Sequence, residues 1–396
     1  MDVDTAGATA RKNAFEPNKN IVFLLGAGAS VAHGPPLMAG FMIAAFDRYY
    51  SLKQAVANPS EQPTREFLKS YAKMFGFRDK CRRTLWAIDR DWDNIEELYT
   101  QADLLRLVEH RGDEITEQEQ LCNHIASVIW DIYRGANPNP FMSKMLDKVR
   151  EGGGAPVIVT TNYDLIVENA IKDAKQHWYY PGFALGGTSG LWTLAKDTHK
   201  PVPLKTARAE ATTSLPIIKL HGSVNWFRME DGWFADEEIA VYQQKVAFAD
   251  VNRSIYQRWR QLTNRTPADP ESTAIHFHPA IIPPMLGKAK HNQLFAQQWA
   301  AAIDAIRRAS QIIVIGYSFP STDAFMSRLL TEALSEQQDF RRLTVVDTVE
   351  PEKHGIHGLL ATRLRTKQFR YVRQMAEYVV PQLSSREFDN WEQILK

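Results

Sequence analysis

Asn162 and His221 are the side chains in this sequence best placed to do chemistry. Asn162 lies in TTNYD (160–164) and His221 in KLHGSVNW (219–226). A neutral imidazole beside a polar amide can orient a polar substrate and a water, and can take up a proton as a reaction proceeds. Each residue also has an ordinary explanation, Asn as a turn former and His as a satisfied hydrogen-bonding group. A third element is GAGAS (26–30). Here Gly26 and Gly28 would let backbone N–H groups approach a pyrophosphate, and Ser30 would add a hydroxyl donor. Without a third glycine, the same turn could equally be a tight strand-to-helix connection.

The elements that must position these groups are legible as short aliphatic runs. IVFLL (21–25), PVIVT (156–160), PIIKL (216–220), IIVIG (312–316) and LTVVD (343–347) read as buried parallel strands. Helical patterns lie between several of them. Trp299, Ile303 and Ile306 share one helix face, as do Met326, Leu329, Leu330 and Ala333. Alternating strand and helix predict an α/β fold, a Rossmann-like doubly wound parallel sheet. In such a sheet ligands bind beyond the carboxyl ends of the strands. The candidate groups are therefore Gly26 to Ser30, Asn162 to Asp164, His221, Gly316 to Ser318 and Asp347.

Two stretches interrupt this pattern. Residues 41–150 carry long helical patterns and almost no strand signal, which predicts a large helical insertion, and 177–275 form a smaller one rich in Gly, Pro and Trp. In DWDNIEELYT (91–100), Asp93 or Asn94 is the expected helix cap, which accounts for Glu96 and Glu97 without catalysis. Asp47 has the separation of a ribose-binding acid but follows a helical pattern rather than a second strand.

Composition narrows the function classes. The chain is 44% hydrophobic and 23% charged with a net charge of +1, so no basic excess points to nucleic acid or to a membrane surface. Pieces such as Arg363-Leu364-Arg365 are too short to imply nucleic acid. No run approaches a membrane span and residues 1–20 lack the order of a secretory signal, which predicts a cytoplasmic protein. Cys81 and Cys122 stand alone, with no CxxC pair. His276 and His278 in HFH read as core or surface histidines, with a metal pair as the alternative and no third ligand nearby. The aromatics of 176–183 and Trp226 suit packing beneath a loop, or stacking on a base.

Taken in order, GAGAS with HGPP, TTNYD, KLHGSVNW and IGYSFPSTD resemble the sirtuin-like family, over about 20–35, 155–225 and 280–350. The wording TTNYD and LHGSxNW is closer to bacterial defence-associated members than to protein deacylases. The resemblance implies that residues 20–396 form one NAD-binding domain interrupted by the two insertions, after a flexible segment 1–19. It implies that Gly26, Ala27, Gly28 and Ser30 hold the NAD phosphates, and that Asn162 and Asp164 line the nicotinamide and its ribose. His221 would be the catalytic histidine. Gly316 and Ser318 would lie beneath the adenosine, Asp347 would reach its ribose, and Pro36 would shape the loop over NAD.

Two departures qualify the likeness. Leu37-Met38-Ala39 stand where deacylases carry Asp-Phe-Arg, and two isolated cysteines cannot supply the four-cysteine zinc ribbon of deacylases, so no zinc is expected. The activity implied is hydrolysis of NAD to nicotinamide and ADP-ribose in antiphage defence. The expected setting is a homo-oligomer, or a complex with a sensor such as a HerA-type ATPase. An NAD-dependent deacylase and a non-catalytic NAD or ADP-ribose sensor are the alternatives.

Overall fold

The computed structural model describes residues 20–31, 34–55, 62–85, 90–109, 117–134, 142, 145–147, 155–173, 178–181, 190–194, 201–203, 215–230, 238–242, 276–283, 295–320, 323–335, 342–349, 355–356 and 369–373. The expectations for 1–19 and for Arg363 to Arg365 lie outside these residues.

The five aliphatic runs are strands, each within a residue of its expected bounds. They are β1 (Asn20–Leu25), β2 (Ala155–Thr160), β6 (Leu215–Lys219), β10 (Gln311–Ile315) and β11 (Arg342–Asp347). With β3 (Trp178–Tyr179) and β12 (Phe369–Arg373) they form a seven-stranded sheet in the order β12-β11-β10-β1-β2-β6-β3, with every pairing parallel. From β6 to β12 this is the 3-2-1-4-5-6 order of a dinucleotide-binding sheet, and its topological switch lies between β1 and β10. The runs of β1 and β10 are unbroken by polar residues because the sheet is covered on both faces: Val22, Phe23, Leu24, Ile313 and Val314 have no exposed surface.

Helix α5 (Ile166–Asp173) follows β2, α6 (Ala296–Arg308) leads into β10, and α7 (Ala324–Ser335) follows β10. Trp299 and Ile306 of α6, and Met326, Leu329, Leu330 and Ala333 of α7, face the sheet core. Between β1 and β2 come α1 (Phe41–Ala55), α2 (Gln62–Thr84), α3 (Ile95–Glu109) and α4 (Glu117–Tyr133). They enclose a second core rich in aromatics, including Tyr71, Phe75, Trp92 and Trp130. Asn94 caps α3, its Oδ1 accepting the Glu96 N–H at 2.9 Å, and Asp47 is an exposed residue of α1. Cys81 and Cys122 are buried in this second core. Among the described residues, no helix is long and apolar enough to cross a membrane.

A feature that sequence reading does not reveal is a second, five-stranded sheet. It runs β5 (Pro201–Pro203), β4 (Gly190–Leu194), β8 (Glu238–Tyr242), β7 (Gly222–Glu230) and β9 (His276–Ile281), mostly antiparallel. His276 and His278 both lie on β9. β6 feeds directly into β7 through Leu220 and His221.

Candidate functional site

The parallel register sets a single row of residues across the main sheet. Lys219 pairs with Thr160, Thr160 with Leu25, Leu25 with Ile315, and Ile315 with Val346. The candidate groups lie one to five residues beyond this row. Asn162 and His221 are each two residues past a directly paired couple, on strands about 4.8 Å apart. The backbone ties them further, since the Leu220 N–H donates to the Thr160 carbonyl at 2.9 Å.

Asn162 is the most fully defined of these groups. Its Nδ2 donates to the Gly26 carbonyl at 2.8 Å and to Ser30 Oγ at 2.9 Å. The Gly26 carbonyl can only accept, so the atom facing it must be the amide nitrogen, which fixes the flip of the side chain. With both amide protons engaged, Oδ1 is the atom left to accept from a ligand or water. The loop itself is held by Thr160, whose Oγ1 donates to the Leu25 carbonyl at 3.2 Å and accepts the Asn162 N–H at 3.0 Å. Ser30 is buried and accepts from Asn162, so its hydroxyl proton remains available to a further acceptor.

The glycine turn is tied to the turn after β10. The N–H groups of Gly26 and Gly28 donate to the Ile315 and Gly316 carbonyls at 3.0 and 2.8 Å, and those of Ala29 and Ser30 donate within the turn. These backbone donors are therefore engaged inside the protein. What the glycines provide is close approach. A Cβ on Gly26 would overlap Gly316 and Tyr317, and one on Gly316, where φ is +60°, would overlap Gly28 and Ala29. The turns after β1 and β10 thus interlock backbone against backbone. Nor does a long helix begin here: Ala27 to Ala29 make a single 3₁₀ turn, and α1 starts only at Phe41.

His221 is buried at the β6–β7 junction, its ring centroid 6.1 Å from that of Trp299. Its carbonyl accepts the Ile282 N–H at 2.8 Å. Gly222 follows with φ +82°, and any Cβ there would overlap the Ala280 carbonyl on β9. The glycine after the histidine is thus required by a turn that presses β7 against β9.

Asp164 serves the fold. Its Oδ1 accepts the Ile166 N–H at 3.0 Å, capping α5. Pro36 is half-buried, its carbonyl accepting the Tyr133 hydroxyl at 3.1 Å. On the other side of the switch, Ser318 is exposed and its carbonyl accepts the Gly355 N–H at 3.2 Å. Asp347 is buried and accepts the Val349 N–H at 3.1 Å. Asp323 accepts the Tyr317 hydroxyl at 2.7 Å and the first-turn Met326 N–H of α7 at 3.5 Å. Burial and the Asp323 charge push the Tyr317 phenol well above its ordinary range, so it remains a donor. The structure therefore gathers Gly26, Ser30 and Asn162 into one hydrogen-bonded group, with His221 two residues past the adjoining register pair. Asp164 and Asp347 are turned to local backbone.

Behind His221 lies a buried ionic cluster. Lys219 Nζ pairs with Glu168 Oε1 at 3.0 Å, both side chains almost wholly buried, and also donates to the Asp164 carbonyl. Tyr180 donates to Glu168 at 2.7 Å and accepts from Asn225 Nδ2 at 3.0 Å. The available signal was a lone lysine inside the aliphatic run PIIKL, which needs a partner. Trp226 is fully buried between Tyr180 and Phe295, and so belongs to the core. Among the described residues, no group of three or more His, Cys, Asp or Glu could hold a metal ion.

Similar solved structures are sirtuins. A Sir2 in complex with the inhibitor EX-527, 2'-O-acetyl-ADP-ribose and a deacetylated p53 peptide shares 14% identity, with 90% of each chain covered and a TM-score of 0.36. Another, described as a structural basis for the mechanism and regulation of Sir2 enzymes, shares 11% identity over 96% of this chain and 92% of that one, with a TM-score of 0.40. Sir2Tm bound to a propionylated peptide shares 15% identity over 90% and 89%, with a TM-score of 0.36. A search of curated proteins finds no match. The family model of the SIR2-like domain matches residues 156–367, from β2 to just before β12, with the glycine turn lying ahead of the matched stretch. With more than half of its length in that match, the chain belongs to the SIR2-like domain family, a family of NAD-utilising enzymes.

Proposed function

We propose that this protein hydrolyses NAD to nicotinamide and ADP-ribose, with Asn162 and His221 as the catalytic residues. The observation that carries the reading is the locked Asn162 carboxamide, which leaves Oδ1 as an acceptor two residues past the row that also ends near His221. The donor set suits NAD as substrate: a buried Ser30 hydroxyl with a proton to give, beside an accepting amide oxygen. Gly26, Ala27, Gly28, Ser30 and Pro36 form the phosphate side of the site, Asp164 supports the Asn162 loop, and Gly316, Ser318 and Asp347 form the adenosine side.

Cleavage breaks the bond between ribose C1' and the pyridinium nitrogen. The bonding electrons leave with nicotinamide, which becomes neutral, and positive charge develops on the ribose. A cationic leaving group needs no strong general acid. What accelerates the step is a fixed ribose and a water held on the opposite face. Asn162 Oδ1 accepts from that water or from a ribose hydroxyl. The water oxygen bonds to C1', and its proton passes to His221 and then to solvent. Two cysteines in the whole chain cannot form the zinc ribbon of the deacylases, which favours hydrolysis over transfer to an acyl-lysine.

The biological reading is depletion of NAD in bacterial antiphage defence by a cytoplasmic homo-oligomer, or by a complex with a sensor such as a HerA-type ATPase. The test is NAD turnover with product analysis, for the protein alone and with its genomic neighbour's product, comparing wild type with Asn162→Ala and His221→Ala of equal thermal stability. Each substitution is expected to lower turnover by about 10²- to 10⁴-fold. Undiminished hydrolysis in a variant removes that residue's role. Nicotinamide release that requires an acetylated peptide replaces the reading with deacylation, and tight binding without turnover in either setting replaces it with a sensor.

A further inference from the structure

One face of α4 touches three segments that carry the candidate site. Trp130 and Tyr133 are three residues apart, so they project from the same side of the helix. Trp130 Nε1 donates to the Val224 carbonyl at 2.6 Å, three residues beyond His221. The Tyr133 hydroxyl donates to the Pro36 carbonyl at 3.1 Å, in the loop that follows the glycine turn. The Tyr133 ring also meets Tyr163 edge-on at 5.4 Å, and Tyr163 immediately follows Asn162. Tyr163 in turn donates to the Ile282 carbonyl at 2.6 Å, and Ile282 donates to the His221 carbonyl. Both α4 residues are buried and sit in the helical core rather than in the sheet core.

We propose that Trp130 and Tyr133 are positioning residues, through which the helical region fixes the spacing between the Pro36 loop, the Asn162 loop and the His221 segment. The contacts are short, directional and made by a single rigid element. A displacement of α4 therefore moves all three walls together rather than one at a time. Burial, and after it the charge of Asp164, hold the Tyr133 phenol above its ordinary range, so the hydroxyl donates throughout the physiological pH span. The proposal deepens the NAD-hydrolase reading and, for its kinetic part, rests on it.

Tyr133→Phe tests it with little risk to folding, because only a hydroxyl is removed and the ring remains. Tyr71→Phe is the matched control. Tyr71 is likewise buried, its hydroxyl donating at 3.1 Å to Asp131 on the same helix and its ring stacking on Tyr49 and Phe75 of the helical region. In Tyr133→Phe, KM for NAD is expected to rise roughly ten- to a hundredfold with a smaller change in kcat. Amide hydrogen exchange in 34–40 should run about tenfold faster, the scale of one neutral hydrogen bond. Trp130→Phe should accelerate exchange in 222–226 by a similar factor. Tyr71→Phe should leave KM and both exchange rates at their wild-type values.

Unchanged KM and unchanged exchange in Tyr133→Phe overturn the proposal. So do equal changes in Tyr71→Phe, which would mean general loosening of the helical core. If the wild type does not turn over NAD, the hydrolase reading fails by itself, and the exchange rates still decide whether α4 holds the walls.

Discussion

The two halves of the main sheet end in polar residues at matching positions, yet use them differently. On the β1-β2-β6 side, Ser30 and Asn162 are locked by neighbours in a way that leaves a donor proton and an acceptor oxygen to spare, and His221 follows two residues past the same register row. On the β10-β11 side the polar groups are taken up by their own turns. Asp323 holds Tyr317 and the start of α7, Asp347 holds Val349, and Gly316 holds the glycine turn. The bonds of the first half leave atoms to spare, and those of the second fix local turns. A polar residue at a strand end therefore signals one of two tasks. Only its hydrogen-bond partners separate them.

The largest expected effect is one that both halves should share. Gly222→Ala and Gly316→Ala each force a Cβ into backbone at positive φ, and each should cost about 4 kcal/mol or more, read as a collapse of the melting temperature. A variant that melted like wild type would remove the close approach at that turn. Next comes Lys219→Met, which strands a buried Glu168 carboxylate and should cost about 3–5 kcal/mol by denaturant unfolding. Adding Glu168→Leu should recover part of that loss; no recovery would show that the pair is not coupled.

The contrast itself is drawn by a smaller pair. Asp323→Ala should cost about 1–2 kcal/mol, from the helix cap and the Tyr317 hydrogen bond, with NAD turnover per folded molecule unchanged. Asn162→Ala should show the reverse, a stability change of about 1 kcal/mol or less with turnover lost. If Asp323→Ala abolished turnover while folded, the division of labour between the halves would be wrong.

Much of this frame was legible in the sequence, for a definite reason. Strands covered on both faces are largely apolar, so IVFLL and IIVIG announce themselves, and the Asn94 cap follows from side-chain geometry close by. The second sheet was not legible, because PVP and GLWTL are short and GLWTL also pairs with β8, about 50 residues further along the chain. The Lys219–Glu168 pair was hidden likewise, its members lying on different elements. Asn162 and His221 stood out as chemical types, but Tyr133 did not: a tyrosine in a helical run carries no mark of the Pro36 carbonyl it will meet. The close approach of the glycine turn was not legible. Its partner Gly316 sits nearly 290 positions away, and no local pattern encodes that meeting.

That interlock also sets a schedule. Gly26 and Gly28 are synthesised early, but the backbone they close against is not made until residue 316. At about 5–20 residues per second, translation reaches it roughly 15–60 s later. Until then the turn after β1, to which Asn162 is bonded, has no wall to seat on. A nascent chain on the ribosome therefore carries the first turn without the backbone it closes against, and this part of the frame is completed late in synthesis, when the two turns engage.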